Sequence, residues 1–271
     1  MSREGPPPPP PEPLAEPVVD THCHLDLAGV PVAAALAAAA AVGVPRVVQV
    51  GVDLASSRWG VALAEAHPQV RAAVAVHPND APRTAELPRV LDEIDRLAAH
   101  PRVTAVGETG LDRYRTGPDG WAVQEEAFRR HVDIARRHGR TLVIHDRDAH
   151  TEVLRVLDAE GAPDRVVMHC FSGDAAFARA CAERGYGMSF AGNVTFASAG
   201  ALREAAQAVP ADLLLVETDA PFLTPVPYRG RPNASYLVPL TVRALAATRG
   251  EAEAEVAAAV RANAERFFWT Q

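Results

Sequence analysis

The fold is decided by the stretch Val18-Val19-Asp20-Thr21-His22-Cys23-His24-Leu25-Asp26. A short apolar run ends here in two histidines that have one residue between them. In a strand, this spacing places both imidazoles on one face and sends Cys23 to the other. Two imidazoles that leave one strand end together supply half of the ligand shell of a transition metal. A single His-X-His is more often a pair of exposed loop histidines, so the metal interpretation depends on the rest of the chain.

Further short runs rich in Val, Ile and Leu follow, and segments with Ala- and Arg-rich helical patterns separate them. Continuous apolar runs are typical of strands buried on both faces, as in a parallel sheet. The candidate strands are 18–20, 46–50, 72–76, 103–107, 141–144, 165–168, 186–190 and 213–217. The candidate helices are 31–42, 58–66, 88–99, 119–138, 148–160, 174–184, 198–208, 235–248 and 251–266.

Strands that alternate with helices in this way predict an α/β fold, a single (β/α)8 TIM-type barrel. The alternative is an open doubly wound sheet. The first strand is not followed by a glycine-rich dinucleotide loop, which disfavours that alternative. The barrel occupies residues 17–271, and no break in the pattern indicates a second domain.

Residues 1–16 form a proline-rich tail. Because proline donates no backbone hydrogen bond, we expect disorder or a polyproline II conformation there. A dispensable extension is the favoured interpretation, and a docking peptide for a partner domain is the alternative.

The composition limits the class of protein. The net charge of −7 provides no general basic surface, so a nucleic-acid ligand would need local arginine or metal charge. Three widely spaced cysteines fit a reducing compartment without a disulfide framework. The sequence shows neither a secretory signal nor an apolar stretch that could cross a bilayer. We therefore expect a cytoplasmic protein without a membrane partner, and the sequence leaves its oligomeric state open, a monomer included.

Side chains that bind metals stand at the ends of five predicted strands. They are His22 and His24 after the first strand, Glu108 after the fourth, His145 after the fifth, His169 after the sixth and Asp219 after the eighth. In a barrel, all C-terminal strand ends open onto one face, so these side chains should converge into a metal site there. Four histidines and two carboxylates suffice for two divalent ions that share a carboxylate, and such ions clamp a phosphoryl group and activate a hydroxide. Each residue alone has an ordinary structural role, but chance does not account for all five strand ends.

The same segments carry a resemblance to a known family. Besides the first stretch, the matching motifs are Gly107-Glu108-Thr109-Gly110-Leu111-Asp112, Ile144-His145-Asp146-Arg147-Asp148-Ala149, His169-Cys170-Phe171-Ser172-Gly173 and Glu217-Thr218-Asp219-Ala220-Pro221-Phe222-Leu223. In this order and combination they resemble the TatD family of metal-dependent deoxyribonucleases, within the amidohydrolase-like barrels.

The resemblance implies a role for each matching residue. One ion would be held by His22, His24 and Asp219, the other by His145 and His169, and Glu108 would bridge them. Asp219 would also be the general base that takes a proton from the attacking water, so Asp219 and Glu108 are the implied catalytic residues. Imidazole ligands favour Zn, Mn, Co or Ni for the two divalent metal ions, and Mg remains an option in the cell.

One segment departs from the family pattern. Where the family often has Asn-Glu-Pro after the last metal aspartate, this chain has Asn233-Ala234-Ser235. The proposed ligands are unaffected, but a substrate contact inferred from that loop is in doubt.

Substrate-binding residues are predicted from their positions after the same strands. The candidates for binding a phosphate are Arg147, His77 and Arg113, followed by Arg115, Arg229 and Arg231, and Tyr114 and Phe171 are candidates for stacking a base. Surface exposure for the arginines, and core or rim packing for the aromatics, are the alternatives.

Together these features predict a metal-dependent hydrolase that cleaves phosphodiester bonds of DNA, most simply from a single-stranded or frayed end. The first alternative is the same ligand set acting on an aminoacyl ester, a lactone or a cyclic amide, because a fold does not fix its substrate. The second is a binding or scaffold protein that keeps the barrel. The complete set of ligand residues argues against the second alternative.

Overall fold

The structure, a computed structural model, describes residues 5–270, so residues 1–4 of the predicted tail lie outside the described part. The strands are β1 (Val19–Cys23), β2 (Arg46–Val50), β3 (Val70–Val74), β4 (Val103–Asp112), β5 (Thr141–Arg147), β6 (Val166–Met168), β7 (Gly187–Phe190) and β8 (Leu214–Val216). The helices are α1 (Val32–Ala41), α2 (Leu54–Ala66), α3 (Leu87–Ala98), α4 (Pro118–Arg137), α5 (His150–Glu160), α6 (Ala175–Glu183), α7 (Gly200–Ala208), α8 (Val238–Arg249) and α9 (Glu253–Phe268).

The strands belong to one sheet and follow one another in chain order from β1 to β8. The pairs β3–β4, β4–β5, β5–β6 and β7–β8 are parallel. Parallel strands that alternate with helices eight times confirm the predicted (β/α)8 fold class. Among the described residues, no helix has both the length and the apolar character that a bilayer crossing requires.

The chain divides into two compact units, one formed by Met1–Val48 with Gly173–Arg266 and the other by Gln49–Ser172 with Phe267–Gln271. In the first unit, β1 lies beside the segment that follows β8. The backbone N–H of Asp219 donates to the carbonyl of His22 (2.9 Å), and the N–H of His24 donates to the carbonyl of Ala220 (2.7 Å). These bonds hold three proposed metal ligands on adjacent backbones.

In the second unit, β4 is longer than the sequence predicted. The apolar run stops at Gly107, but the pairing with β5 continues from Thr109–Ile144 to Asp112–Arg147. Between Val106 and Thr109 the register shifts, because β4 has one more residue than β5 there. Such an extra residue bends a strand and re-aims a side chain. The correction matters because Glu108 lies within the strand rather than after its end.

Two glycines allow this pairing. A Cβ atom at Gly107 would lie 2.5 Å from the Cβ of Val143, and one at Gly110 would lie 2.1 Å from the carbonyl oxygen of His145. Gly110 also has a φ of +133°, which side-chain-bearing residues rarely adopt. The glycines on either side of Glu108 are therefore required by the close approach of β5.

The described part of the proline-rich tail contacts the first unit. The hydroxyl of Tyr236 donates to the carbonyl of Pro8 (2.7 Å), and the guanidinium of Arg243 donates to the carbonyl of Glu12 (2.9 Å). Leu14 is buried. The tail can make these contacts because proline carbonyls accept hydrogen bonds although proline donates none. The domain division itself stays a prediction.

We predict that Gly110→Ala destabilises the metal-free protein by about 3 kcal/mol, since it adds backbone strain to a clash with a carbonyl oxygen. Chemical denaturation of both proteins measures the difference. Gly200→Ala is the matched control, because Gly200 begins α7 with no atom within 4 Å of its Cβ position. A loss at Gly110 no larger than at Gly200 would contradict the explanation.

Candidate metal centre

Three predicted ligands form a cluster in the first unit. The Nε2 atoms of His22 and His24 are 3.3 Å apart. The Oδ1 atom of Asp219 lies 3.8 Å from the first Nε2 and 3.6 Å from the second. His22 and His24 are almost fully buried, whereas 15% of the Asp219 side chain is exposed. The cluster is therefore closed on the imidazole side and open to water at the carboxylate.

A buried carboxylate that the sequence analysis did not single out positions this cluster. Asp20 accepts hydrogen bonds from the backbone N–H and the hydroxyl of Thr218 (2.9 and 2.6 Å) and from the N–H of His22 (3.3 Å). Burial raises the pKa of Asp20 to about 6, although the bonds from Thr218 oppose the rise. The amide of Asn233 donates to the carbonyl of Thr218 (2.9 Å), so both residues support the backbone just before Asp219.

A second cluster lies in the second unit around one oxygen of Glu108. The distances from its Oε2 are 3.0 Å to Nε2 of His169, 3.4 Å to Nδ1 of His145 and 3.8 Å to Nε2 of His77. Burial would raise the pKa of Glu108, but the neighbouring His169 and His77 and hydrogen bonds from His145 and His169 outweigh it and lower the pKa well below its usual range. Glu108 is thus a carboxylate surrounded by imidazoles.

Asp112 supports the outer edge of this cluster. Its Oδ1 accepts from the backbone N–H groups of Tyr114 (2.9 Å) and Arg115 (2.7 Å). Its Oδ2 accepts from the amide of Asn79 (2.9 Å) and lies 3.1 Å from Nε2 of His145. Burial opposes its ionisation, but the bonds from His145, Arg115 and Asn79 lower the pKa of Asp112 below its usual range. Asp112 ends the Gly107–Asp112 motif, and spacing in the sequence alone assigns it no role.

The two histidines nearest Glu108 respond oppositely to their surroundings. Burial lowers the pKa of His77 to about 4, although the Glu108 carboxylate opposes the shift. Burial also acts on His145, but hydrogen bonds to Asp112 and Glu108 outweigh it and raise its pKa. Both rings therefore lie at the same carboxylate with different tendencies to be protonated.

His131, on α4, holds the strand ends beneath the second cluster. Its Nε2 accepts from the backbone N–H of Val76 (3.2 Å), and its Nδ1 lies 2.7 Å from the carbonyl of Ala127 and 2.9 Å from the hydroxyl of Thr109. Val76 and Thr109 each adjoin a residue of the cluster. Burial lowers the pKa of His131 to about 4. No sequence signal separated this histidine from the surface histidines of the helices.

The arginines predicted to bind substrate are stacked on aromatic rings. The guanidinium of Arg147 lies 4.2 Å from the ring centre of exposed Tyr114, and that of Arg113 lies 4.5 Å from the ring centre of Trp121. Phe171 is buried, so it packs in the core rather than presenting a face to a base. Substrate contacts by Arg147, Arg113 and His77 stay predictions.

In the first unit, the corresponding arginines are arranged similarly. Arg229 lies 4.4 Å from the ring centre of Phe196, and Arg231 lies 5.6 Å from that of Tyr228. Asn233 supports the backbone of this unit, because its amide donates to the carbonyls of Thr218 and Phe222.

The first cluster has the spacing that a divalent ion requires. Two nitrogen ligands of a tetrahedral zinc ion, each about 2.0–2.1 Å from the metal, are about 3.3 Å apart. The Nε2 atoms of His22 and His24 have this separation (3.3 Å), and a carboxylate oxygen faces both. The second cluster offers the Glu108 carboxylate, with one nitrogen each of His145 and His169 within 3.4 Å of its Oε2, and imidazole with carboxylate is a donor set for Zn, Mn, Co or Ni. Both clusters therefore fit metal ions, whose number and identity stay predictions.

The buried state of His131 predicts an acid limit to stability. In the unfolded chain its pKa would be near 6.5 and in the folded protein it is about 4, so the unfolded state binds the extra proton as the pH falls between these values. We expect this residue to remove about 3 kcal/mol of stability from pH 6.5 to pH 4. Denaturation curves of metal-free wild type and His131→Gln across this range measure it. Equal pH dependence in the two proteins would refute the assignment.

Comparison with known proteins identifies the family. The family described as TatD related DNase matches residues 19–269. A Mycobacterium tuberculosis protein named as an uncharacterized metal-dependent hydrolase, TatD, is 49% identical over 259 residues, which cover 93% of this chain and 97% of that protein. A Citrobacter rodentium protein named 3'-5' ssDNA/RNA exonuclease TatD is 36% identical over 241 residues, which cover 86% of this chain and 90% of that protein.

A solved structure agrees with these relatives. The crystal structure of YJJV, a TatD homolog from Escherichia coli, superposes with a TM-score of 0.86 at 27% identity and covers 94% of this chain and 98% of that one. The resemblance seen in the motifs is thereby confirmed. The chain belongs to the TatD-related DNase family of metal-dependent hydrolases.

Proposed function

We propose that this protein is a metal-dependent nuclease that cleaves phosphodiester bonds of DNA from a single-stranded or frayed end. One observation carries the proposal: the histidine and carboxylate groups of both clusters lie in the carboxyl-terminal half of a strand or in the segment that follows one. In (β/α)8 enzymes, active sites are assembled from several strand ends on that face. Each cluster therefore lies where active-site residues of this fold are found.

The assignment of ligands follows the clusters. His22, His24 and Asp219 would hold one divalent ion, and Glu108, His145 and His169 would hold another. Bound ions would polarise a phosphoryl oxygen and lower the pKa of water. Bridging of two ions by Glu108 stays a prediction.

The proton-transfer role falls to Asp219. Its carboxylate is the most exposed group of the first cluster, and the backbone around it is held by Asp20 and Asn233 through Thr218. A carboxylate in this position accepts a proton from the attacking water without itself becoming the nucleophile. His22 and His24 are almost fully buried. In this scheme they act only as metal ligands, each through a ring nitrogen in a fixed position.

The substrate class is supported by local positive charge. The chain as a whole is acidic, with a net charge of −7, so bulk attraction does not recruit a polyanion. Arg147 ends β5, two residues after His145, and its guanidinium lies over the ring of Tyr114, 4.2 Å from the ring centre. A stacked guanidinium keeps its edge N–H groups available for a phosphate, and an exposed ring offers a face to an unpaired base.

The deciding experiment is cleavage of an end-labelled single-stranded DNA oligonucleotide with Mg or Mn. We expect wild type to release mononucleotides and Asp219→Asn to lose at least about 100-fold in kcat, the usual contribution of a general base. Glu108→Gln should lose activity and also bind less metal, because it removes a ligand charge. Full turnover by either variant would overturn the proposed site.

The alternative substrate class has a distinct outcome. If wild type holds metal but leaves single-stranded DNA and RNA intact, the nuclease proposal fails and the metal site remains. Aminoacyl ester, lactone and cyclic amide substrates then become the candidates for the same hydrolytic site. A cytoplasmic location stays a prediction in either case.

Arg147 provides a separate test of the phosphate contact. We expect Arg147→Ala to raise KM for the oligonucleotide about tenfold and to reduce the slope of log Kd against log salt by about 0.7, the value for one phosphate contact on a single strand. Arg155→Ala is the matched control, because Arg155 lies exposed on α5 in an ion pair with Glu125. Equal effects of the two substitutions would exclude a specific role for Arg147.

A further inference from the structure

His77 and His145 face the same oxygen of Glu108. Their positions alone do not show which of the two histidines is a metal ligand. Ligand atoms of His77, Glu108 and His145 lie within 4.8 Å of one another, which suits a metal ion. Their ring centres are 4.7 Å apart. What separates the two histidines is the group bonded to the far edge of each ring.

At His77, the local sequence His77-Pro78-Asn79 fixes the position of the ring proton. The backbone N–H of Asn79 donates to Nδ1 of His77 (3.0 Å), and Pro78 has no N–H to compete. Because Nδ1 uses its lone pair to accept this bond, the neutral ring carries its proton on Nε2. That Nε2–H faces Glu108, and at 3.8 Å the carboxylate is too far away for a hydrogen bond.

At His145, the same tautomer is turned the other way. Its Nε2 lies 3.1 Å from Oδ2 of Asp112, an acceptor, so the ring proton is on Nε2 there as well. With a metal ion at Glu108, the Nδ1 of His145 would direct its lone pair at that ion, whereas in the metal-free protein Nδ1 lies 3.4 Å from the carboxylate and can donate to it. A metal ligand whose other nitrogen donates to a carboxylate is the usual arrangement for histidine.

Asn79 links the two rings. Its own hydrogen bonds show which atom of its side-chain amide is the nitrogen and which is the oxygen. Its Nδ2 donates to Asp112 (2.9 Å), and its Oδ1 accepts from the hydroxyl of Thr116 (2.7 Å). A flipped amide would place oxygen against the Asp112 carboxylate, so the orientation is fixed. One continuous chain of hydrogen bonds thus runs from His77 through Asn79 and Asp112 to His145.

We propose that His145 is a metal ligand through Nδ1 and that His77 is not a ligand but donates a hydrogen bond from Nε2 to an anionic oxygen of the substrate. Asn79 and Asp112 are the positioning residues that set the two tautomers. The substrate half of this proposal rests on the proposed phosphodiester hydrolysis, and the ligand half stands without it. A neutral donor aimed at developing negative charge contributes in the manner of an oxyanion hole.

The first experiment titrates Zn²⁺ into the metal-free full chain. We expect His77→Gln and His77→Ala to bind as many ions as wild type, with affinity within about threefold, whereas His145→Gln loses the corresponding ion. Asp112→Asn should weaken that ion by about 10-fold, the usual effect of losing an outer carboxylate partner. Loss of an ion in both His77 variants would overturn the proposal.

The second experiment reads the tautomers directly. Nitrogen–proton correlation spectra of ¹⁵N-histidine-labelled, Zn²⁺-loaded wild type should show Nε2–H for His77 and for His145, with assignments made from the single variants. Asp112→Asn should alter the His145 signals and leave those of His77 unchanged, a readout that a general loss of stability would not produce. A proton on Nδ1 of His77 would overturn the proposal.

The third experiment measures cleavage and uses a matched histidine. His77→Ala should lower kcat about 100-fold with metal content intact, and His77→Gln, which keeps an N–H donor, should recover part of that loss. His100 is the control, since the backbone N–H of Arg102 donates to its Nδ1 (3.1 Å) in the same His-Pro-Xaa pattern, while its Nε2 pairs with Glu65. His100→Gln should leave kcat unchanged.

The three experiments distinguish failure of the nuclease proposal from failure of the roles assigned to His77 and His145. Wild type that cleaves no oligonucleotide would end the nuclease proposal, while the titration and the spectra would still decide which histidine is the ligand. Unchanged kcat in His77→Ala, in a wild-type background that does cleave, would overturn the donor role.

Discussion

A buried carboxylate with every acceptor position filled holds the second cluster together. Asp112 receives four hydrogen bonds from the turn after β4, from the segment after β3 and from β5. A carboxylate taken out of water without such partners costs several kcal/mol, so these segments are strongly held in one arrangement. Each of them carries a residue of the proposed site. The position of His145, and of the segments that follow β3 and β4, therefore depends on satisfying one buried charge.

The β4 motif is explained position by position by the same packing. Gly107 and Gly110 admit the backbone of β5, Glu108 supplies the central carboxylate, Thr109 contacts His131, Leu111 is buried in the core and Asp112 receives the four bonds. The register shift before Thr109 adds the one residue that brings Glu108 to its place between the flanking glycines.

The fold and the clustering of these residues were predictable, because apolar runs and the ligand-type residues that follow them can be recognised in the amino-acid sequence. His22, His24 and Asp219 lie together, and His145 and His169 each bring a nitrogen within 3.4 Å of one oxygen of Glu108. The sequence did not predict that β4 continues to Asp112, because a strand held by glycines and polar residues has no apolar signature. Asp20, Asn79 and His131 were missed for another reason. Their importance lies in hydrogen bonds to residues distant in the chain, which spacing does not reveal.

A histidine that binds a metal ion and a histidine that donates a hydrogen bond differ in which ring nitrogen carries the proton. Distances between heavy atoms alone do not show this. His22 and His24 bring Nε2 atoms to 3.3 Å in the company of a carboxylate, a spacing that suits ligands of one ion. His77 brings its Nε2 to 3.8 Å from the Glu108 carboxylate, but the proline after it leaves the next backbone N–H to occupy Nδ1, so the inward nitrogen carries a proton. A two-residue pattern, His-Pro, thereby converts a histidine from a candidate ligand into a donor. The hydrogen bond made by one ring nitrogen of a histidine thus decides whether the other nitrogen carries a proton or has a lone pair for a metal ion.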